Sequence, residues 1–445
     1  MQICRLLGSA RGSTFRFTRS RANQFLLRVQ STEARDSRAE LFADRSWFHP
    51  DIIKRLKIHG LIRPTDIQAA AIPRLLGGDD VIMAAETGSG KTLTYLLPLI
   101  QRLAFDEPSR TPYRALVLVP NKELIAQFLQ VASDFGDNLG AWKQAACDVK
   151  SNISAPIAVG TPESILKFTS GDSFDDTKIV VADEADMLLV GSFQAQTQRI
   201  LKHLCKGEHR RQLAFSMATV PDSGTLSVDA WLRKYYPQCQ RVETDLLHCA
   251  VPQLQQNWVE VQGGPAHRAA ADEALVRALK DNEGVATMVF VNTQAEAGRI
   301  ATMLRRNAIF GVTEYHKGIS VEERARTATR LRSNKGECIA VCTSLASRGL
   351  DTLQVKHVIQ RDLAESAVDH LHRIGRTARA GNGGMVTNII PSGEHLLADS
   401  LRSSADGSVD GSFSRRRGLR FRHKKMLRRA AEEADMLQEG TEVDV

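Results

Sequence analysis

Three stretches of this sequence carry residue types that could bind a nucleotide triphosphate and cleave it. The first is Ala85-Glu86-Thr87-Gly88-Ser89-Gly90-Lys91-Thr92, which follows the apolar run Val81–Ala84 and precedes a helical pattern, Leu93–Leu103. Gly88 and Gly90 allow the backbone to bend so that N–H groups from Thr87 to Thr92, Ser89 included, face phosphate oxygens. Lys91 supplies a point charge to the terminal phosphates, and the Thr92 hydroxyl can ligate Mg²⁺. The second stretch is Asp183-Glu184-Ala185-Asp186, after the apolar run Ile179–Ala182. Asp183, at the C-terminal end of a strand, is placed to hold Mg²⁺, and Glu184 to orient and deprotonate the attacking water. The third is His372-Arg373-Ile374-Gly375-Arg376-Thr377-Ala378-Arg379, whose Arg376 and Arg379 are three apart and expected to share one face as arginine fingers.

The elements that must position these groups follow from the apolar pattern. Further strands are predicted at Ala115–Val119, Ile157–Val159, Gln212–Phe215, Gln256–Val261, Thr287–Val291, Cys338–Cys342, His357–Ile359 and Met385–Ile390. Helical patterns over Lys122–Phe135, Thr293–Arg306 and Val321–Arg332 separate some of them. Continuous apolar strands alternating with helices predict an α/β fold with parallel sheets covered on both faces. The segment from about Pro237 to Pro252 lacks a period and predicts a linker.

The 445 residues suggest two to three domains, and the hydrophobic (42%) and charged (25%) fractions exclude a wholly disordered chain. No apolar run reaches the roughly 18 residues of a membrane-spanning helix, so a soluble chain is expected. Seven scattered cysteines without a CxxC pair argue against a disulfide framework or zinc site and for a reducing compartment. The 59 Lys+Arg against 51 Asp+Glu give a net charge of +8, which suits an anionic partner. The ends carry much of that bias. Six arginines and no Lys, Asp or Glu lie in residues 1–32, the composition of an organellar transit peptide. Nine cations between Arg415 and Arg429 follow a Ser/Gly/Asp-rich stretch and predict a flexible tail that touches phosphates.

With these motifs in place, the sequence resembles the DEAD-box ATP-dependent RNA helicases of superfamily 2 from roughly Phe42 to Ile390, and most of all the family's mitochondrial members. The resemblance implies two tandem RecA-like domains with disordered basic termini. The expected division is a transit peptide (1–32), an ATP-binding domain (40–238), a linker (239–252), a C-terminal helicase domain (253–398) and a tail (399–445). It implies ATP and Mg²⁺ as cofactors. Gln68, in Gly60-Leu61-Ile62-Arg63-Pro64-Thr65-Asp66-Ile67-Gln68, matches the adenine-reading residue, with Phe42 as the candidate upstream aromatic. Asp351 would lie near the ATP ribose. Lys122, Thr161, Thr343 and Gly349 match positions that grip the RNA backbone, where Lys122 and Ser164 stand in place of arginines. The coupling motif reads Met217-Ala218-Thr219 where the family has Ser-Ala-Thr, or else Met217 is inserted after Ser216; Ala218, Thr219 and His372 would couple hydrolysis to strand separation. Ser344 replaces an aspartate. The implied partner is RNA held without sequence preference, ribosomal RNA and an assembling ribosomal subunit included. The implied location is the mitochondrial matrix, with plastid or nucleus and cytoplasm as alternatives, and the competing role is an ATP-gated RNA clamp with weak unwinding.

Overall fold

The computed structural model describes residues 41–401 apart from 108–113, 140–143, 152–154, 169–175, 205–209, 221–227, 246, 248–252, 264–265, 334–337, 348–351, 353, 380–381, 393–397 and 400. The expected transit peptide, nearly all of the tail, Gly349 and Asp351 lie outside the described residues.

The chain builds two parallel sheets. The first holds β1 (Val81–Ala84), β2 (Ala115–Leu118), β3 (Ala146–Asp148), β4 (Ile157–Gly160), β5 (Ile179–Ala182), β6 (Gln212–Met217) and β7 (Gln240–Glu243) in the order β3-β4-β2-β5-β6-β1-β7. The second holds β8 (Leu254–Val261), β9 (Thr287–Phe290), β10 (Val312–Tyr315), β11 (Ile339–Cys342), β12 (His357–Gln360) and β13 (Gly384–Pro391) in the order β10-β11-β9-β12-β13-β8. The helices used below are α1 (Asp66–Leu76), α2 (Lys91–Ile100), α3 (Lys122–Gly136), α4 (Pro162–Phe168), α5 (Ala185–Leu188), α6 (His267–Lys280), α7 (Gln294–Arg306), α8 (Val321–Arg332) and α9 (Ala367–Ile374).

Alternation along the strands explains why both faces are covered. Met83, Val117 and Val181 pack with α1, α2 and α3, whereas Ile82, Leu116 and Val180 pack on the opposite face with Ile165 of α4 and Leu188 of α5. In the second sheet Val289 and Val341 face α6 and α7, and Met288 and Ala340 face Leu331 of α8 and Ile374 of α9. Strands buried on both faces read as continuous apolar runs, which is why the two-sheet α/β architecture was legible.

Three strands were not anticipated: β3, β7 and β10, each at the edge of its sheet. Gln240–Glu243 falls within the expected linker yet pairs in parallel with β1, Val81 opposite Gln240. Its only apolar residue is Val242, so an apolar-run criterion cannot see it. Helix α2 ends at Ile100 and continues as a π-helical stretch over Gln101–Asp106.

Among the described residues no helix is long and apolar enough to cross a membrane. Among the described residues Cys147, Cys338 and Cys342 are free and buried, and Cys239 is buried.

Candidate active site between the two sheets

The candidate residues gather at the C-terminal ends of the strands, where open parallel sheets bind ligands. The phosphate-loop residues follow β1, Lys122 follows β2, Thr161 follows β4, Asp183 follows β5, Ala218 and Thr219 follow β6, and Thr343 follows β11.

Gly88 and Gly90 adopt left-handed backbone, φ 89° and 87°. A Cβ on Gly90 would sit 2.6 Å from Nε2 of Gln68, so the loop requires glycine there. The first turn of α1 belts this loop in place. Thr65 Oγ1 donates to the Ser89 carbonyl at 2.8 Å, and Gln68 Nε2 donates to the Gly90 carbonyl at 3.3 Å. Gln68 Oε1 accepts from Thr65 N at 3.0 Å as half of a capping box. Gln68 therefore fastens the loop with one amide hydrogen and one lone pair of its side chain. Phe42 differs from expectation. It is 2% exposed and packs against Trp47 and Phe48, so it is a core residue and offers no ring face to a base.

Lys91 Nζ donates to the carbonyls of Ala85 and Glu86 at 2.6 and 2.7 Å. Burial lowers its ammonium pKa, opposed by the charges of Glu184, Glu86, Asp183 and Asp186. Thr244, just past β7, donates Oγ1 to Glu86 Oε2 at 2.7 Å.

Asp183 is 9% exposed. Its Oδ1 accepts from Glu184 N at 3.0 Å and its Oδ2 from the Tyr95 hydroxyl at 2.8 Å. Burial and then the neighbouring Glu184 charge push its carboxyl up to about 6, opposed by the Ser216 hydroxyl first, then by Tyr95 and Lys91. Burial, then Asp183, pushes the Tyr95 phenol well above its ordinary value, so it stays a donor. Glu184 stands in the left-handed region at φ 52°, and its Oε2 is buried without a hydrogen-bond partner. A non-glycine residue held there carries strain of about 1–3 kcal/mol, a feature that clusters at functional sites.

Asp186, 5% exposed, accepts from both the backbone N–H and the hydroxyl of Thr219 through Oδ2, at 3.2 and 2.6 Å. The ring of His372 reaches the same oxygen at 3.4 Å from the second domain. β6 pairs with β1 without a bulge through Met217, which stands opposite Ala84. The Met217 side chain is fully buried.

The second domain contributes the turn after α9. A Cβ on Gly375 would fall 2.1 Å from Thr87 Oγ1, so this turn lies directly against the phosphate loop. α9 ends at Ile374, so Arg376 and Arg379 follow the helix and do not ride together on its face, as their spacing had suggested. The helix is capped at Gly375, before either arginine. Instead each arginine folds back in the same way: Arg376 Nε donates to the His372 carbonyl at 3.3 Å, and Arg379 Nε to that of Gly375 at 2.7 Å. A second bridge, Arg324 Nε to Glu123 Oε1 at 3.2 Å, joins α8 to α3.

Of the RNA-facing candidates, Lys122 is exposed at the start of α3. Thr161 Oγ1 lies 3.0 Å from the Ser164 hydroxyl, and Ser164 is 1% exposed and turned inward, donating to the Thr161 carbonyl. Thr343 is half-buried and its carbonyl accepts from Ala346 N at 2.9 Å. Arg373, 1% exposed, donates to the Asp362 carbonyl, Asn292 Oδ1 and Ser344 Oγ at 2.8, 2.8 and 3.1 Å. All three acceptors are neutral, and burial lowers its pKa.

Sequence reasoning gave no role to Tyr95, Asp186 or Arg373. Tyr95 follows Lys91 by four helical residues, and Asp186 and Arg373 lie inside the strings already quoted, so spacing could have flagged all three. The site suits a hydrated Mg²⁺ and a triphosphate. Thr92 and Asp183 offer hard oxygen donors, and nothing stands within 4 Å of a Cβ built on Gly88, which leaves the loop's outer side open.

Residues 65–226 match the DEAD/DEAH box helicase family model, and residues 270–381 match the helicase conserved C-terminal domain. The chain is 32% identical to DEAD-box ATP-dependent RNA helicase 22 of Oryza sativa subsp. japonica, over 82% of this chain and 81% of that protein. It is 31% identical to the Arabidopsis thaliana protein of the same name, over 85% and 83%. Among solved structures, S. cerevisiae Dbp5 bound to RNA and ADP BeF3 shares the fold at TM-score 0.70 and 22% identity, covering 82% of this chain and 92% of that one. Mss116p bound to ssRNA and AMP-PNP does so at 0.70 and 20%, covering 84% and 79%.

Proposed function

Because the chain belongs to the DEAD-box family of ATP-dependent RNA helicases, we propose that it is an RNA-dependent ATPase that binds structured RNA and locally unwinds or remodels it. The observation that carries this reading is the packing of Gly375 against Thr87, which brings the arginine-bearing turn of one domain onto the phosphate loop of the other.

The roles divide accordingly. Gln68 reads adenine with the half of its amide left over from the loop. Lys91 places positive charge at the terminal phosphates, while Thr92 and Asp183 hold Mg²⁺, which neutralises phosphate charge when bound. Glu184 receives a proton from the attacking water. Arg376 and Arg379 supply the remaining positive charge from the second domain, so ATP favours the closed arrangement. RNA spans both domains on Lys122, Thr161, Thr343 and Gly349, through phosphate and sugar and without sequence preference. Two ligands that favour one closed state tighten each other's binding.

The arginine-rich, acid-free composition of residues 1–32 supports import into the mitochondrial matrix, where we place structured ribosomal RNA as the substrate. A second reading, an ATP-gated RNA clamp with weak unwinding, is favoured by Ser164, which turns inward, and by Met217, whose side chain is buried and offers no hydroxyl.

The test is ATP turnover with single-stranded RNA, duplex RNA or DNA of matched sequence, run beside strand displacement. Stimulation by RNA and not DNA, with displacement, supports the helicase. Stimulation without displacement supports the clamp. Equal stimulation by DNA overturns both.

A further inference from the structure

The carboxylate of Asp183 is held at both oxygens, and the two partners differ in kind. Oδ1 takes the backbone N–H of Glu184, which any residue at that position would provide. Oδ2 takes the Tyr95 hydroxyl at 2.8 Å, which depends on one side chain; the Ser216 hydroxyl at the end of β6 also favours the charged carboxylate. Tyr95 is 1% exposed and its ring stacks on Phe128 of α3, with centroids 6.2 Å apart and planes 13° from parallel. It therefore has little freedom to point its hydroxyl elsewhere. Tyr95 sits one turn beyond Lys91 on α2, so the helix that begins at the phosphate loop also reaches across to the end of β5.

Mg²⁺ tolerates little departure from octahedral geometry, and partners behind a ligand fix the direction in which it offers its lone pairs. A neutral phenol suits that task, because it orients a carboxylate without cancelling its charge. We propose that Tyr95 is a positioning residue for divalent-cation binding, its hydroxyl locking the rotation of the Asp183 carboxylate so that this group meets the hydrated cation in one orientation. The proposal rests on the reading that Asp183 holds the Mg²⁺ that accompanies the nucleotide.

The experiment uses the full chain and binding alone. Affinity for a fluorescent ADP analogue is measured in EDTA and across a Mg²⁺ titration, for the parent protein, Tyr95→Phe and Phe128→Leu. Tyr95→Phe keeps the stacked ring and removes only the hydroxyl. Phe128→Leu disturbs the same packing and keeps the hydroxyl. The expected result is a Mg²⁺ midpoint raised about tenfold or more in Tyr95→Phe, the usual scale for losing such a partner. Its affinity in EDTA stays at the parent's level, and Phe128→Leu titrates like the parent. An unchanged midpoint in Tyr95→Phe overturns the proposal. So does an equal shift in both variants, which would make Tyr95 a packing residue only. A parent protein that binds nucleotide without Mg²⁺ dependence removes the cation assignment itself, a failure distinct from the other two.

Discussion

Thr219 and Asp186 meet at 2.6 Å, hydroxyl to carboxylate, and the Thr219 backbone N–H reaches the same oxygen at 3.2 Å. His372 approaches that oxygen from the second domain at 3.4 Å. One atom of the first domain thus registers both the end of β6 and the arrival of α9.

Thr219→Val keeps the side-chain shape and deletes the hydroxyl. A hydrogen bond to a charged acceptor is worth about 1.5–3 kcal/mol, or roughly 10- to 150-fold. Strand displacement should fall by at least about tenfold while RNA-stimulated ATP turnover stays within a few-fold of the parent. Parallel losses of both activities would assign Thr219 to the hydrolytic step instead.

Glu184→Gln preserves the length of the side chain and removes its basicity. Turnover should drop at least about a hundredfold, the usual scale for a general base. Because Arg376 and Arg379 are untouched, the variant should still close on ATP and RNA and release RNA more slowly than the parent. Lys91→Ala should lose ATP affinity and show no ATP-dependent tightening. RNA dissociation rates with ATP compare the three; equal release from the two variants removes Glu184 from the hydrolytic step.

Arg373 is a buried cation whose three acceptors are neutral, and one of them is Ser344 at 3.1 Å. Ser344→Asp would place a carboxylate beside it and convert a contact between a cation and a neutral hydroxyl into an ion pair. A gain of about 1–2 kcal/mol is expected, read as a thermal midpoint higher by roughly 2–8 °C. A lower midpoint would show that desolvating the new carboxylate outweighs the pairing.

Acid should weaken the second domain. Burial lowers His357 to about 4 and, helped by the Arg373 charge, His370 to about 3. Their ordinary value is about 6.5. Between those values the unfolded chain binds protons that the folded one refuses, so stability is full above about pH 6.5 and lost as the pH falls towards 4. Each histidine contributes at most about 1.4 kcal/mol per pH unit. Denaturant melts from pH 7 to 4.5 should show this decline, and His370→Gln should reduce its slope by about half. A slope the same in parent and variant would mean that other groups govern the acid limb.

The central strands and the loops that follow them could be read from the sequence because burial on both faces makes each a run of apolar residues ending in a polar turn. Of the four edge strands only β8 could be read; Gln240–Glu243, for one, has a single apolar member and pairs on one side only. Residues with two partners were half legible. Gln68 reads as a base-contacting amide, whereas its capping of α1 and its grip on Gly90 need three dimensions. Phe42 was the candidate aromatic at a spacing one residue too long from Gly60, and the sequence could not show that Trp47 and Phe48 close over it. The arginine pair shows the opposite limit, because a spacing of three was expected to put both on one face, whereas the helix is capped at Gly375 before either.

The path of the chain out of the first sheet sets a kinetic order. β7 runs beside β1, and Thr244 is fastened to Glu86 of the phosphate loop before the chain re-enters a sheet at Leu254. At no more than about 3.5 Å per residue, residues 245–253 span roughly 30 Å at full stretch. The arginine-bearing domain is therefore tethered from the edge of the site it completes, at an effective concentration in the millimolar range characteristic of short links. In the proposed mechanism, closure on ATP is then a first-order event whose rate is independent of how much protein is present.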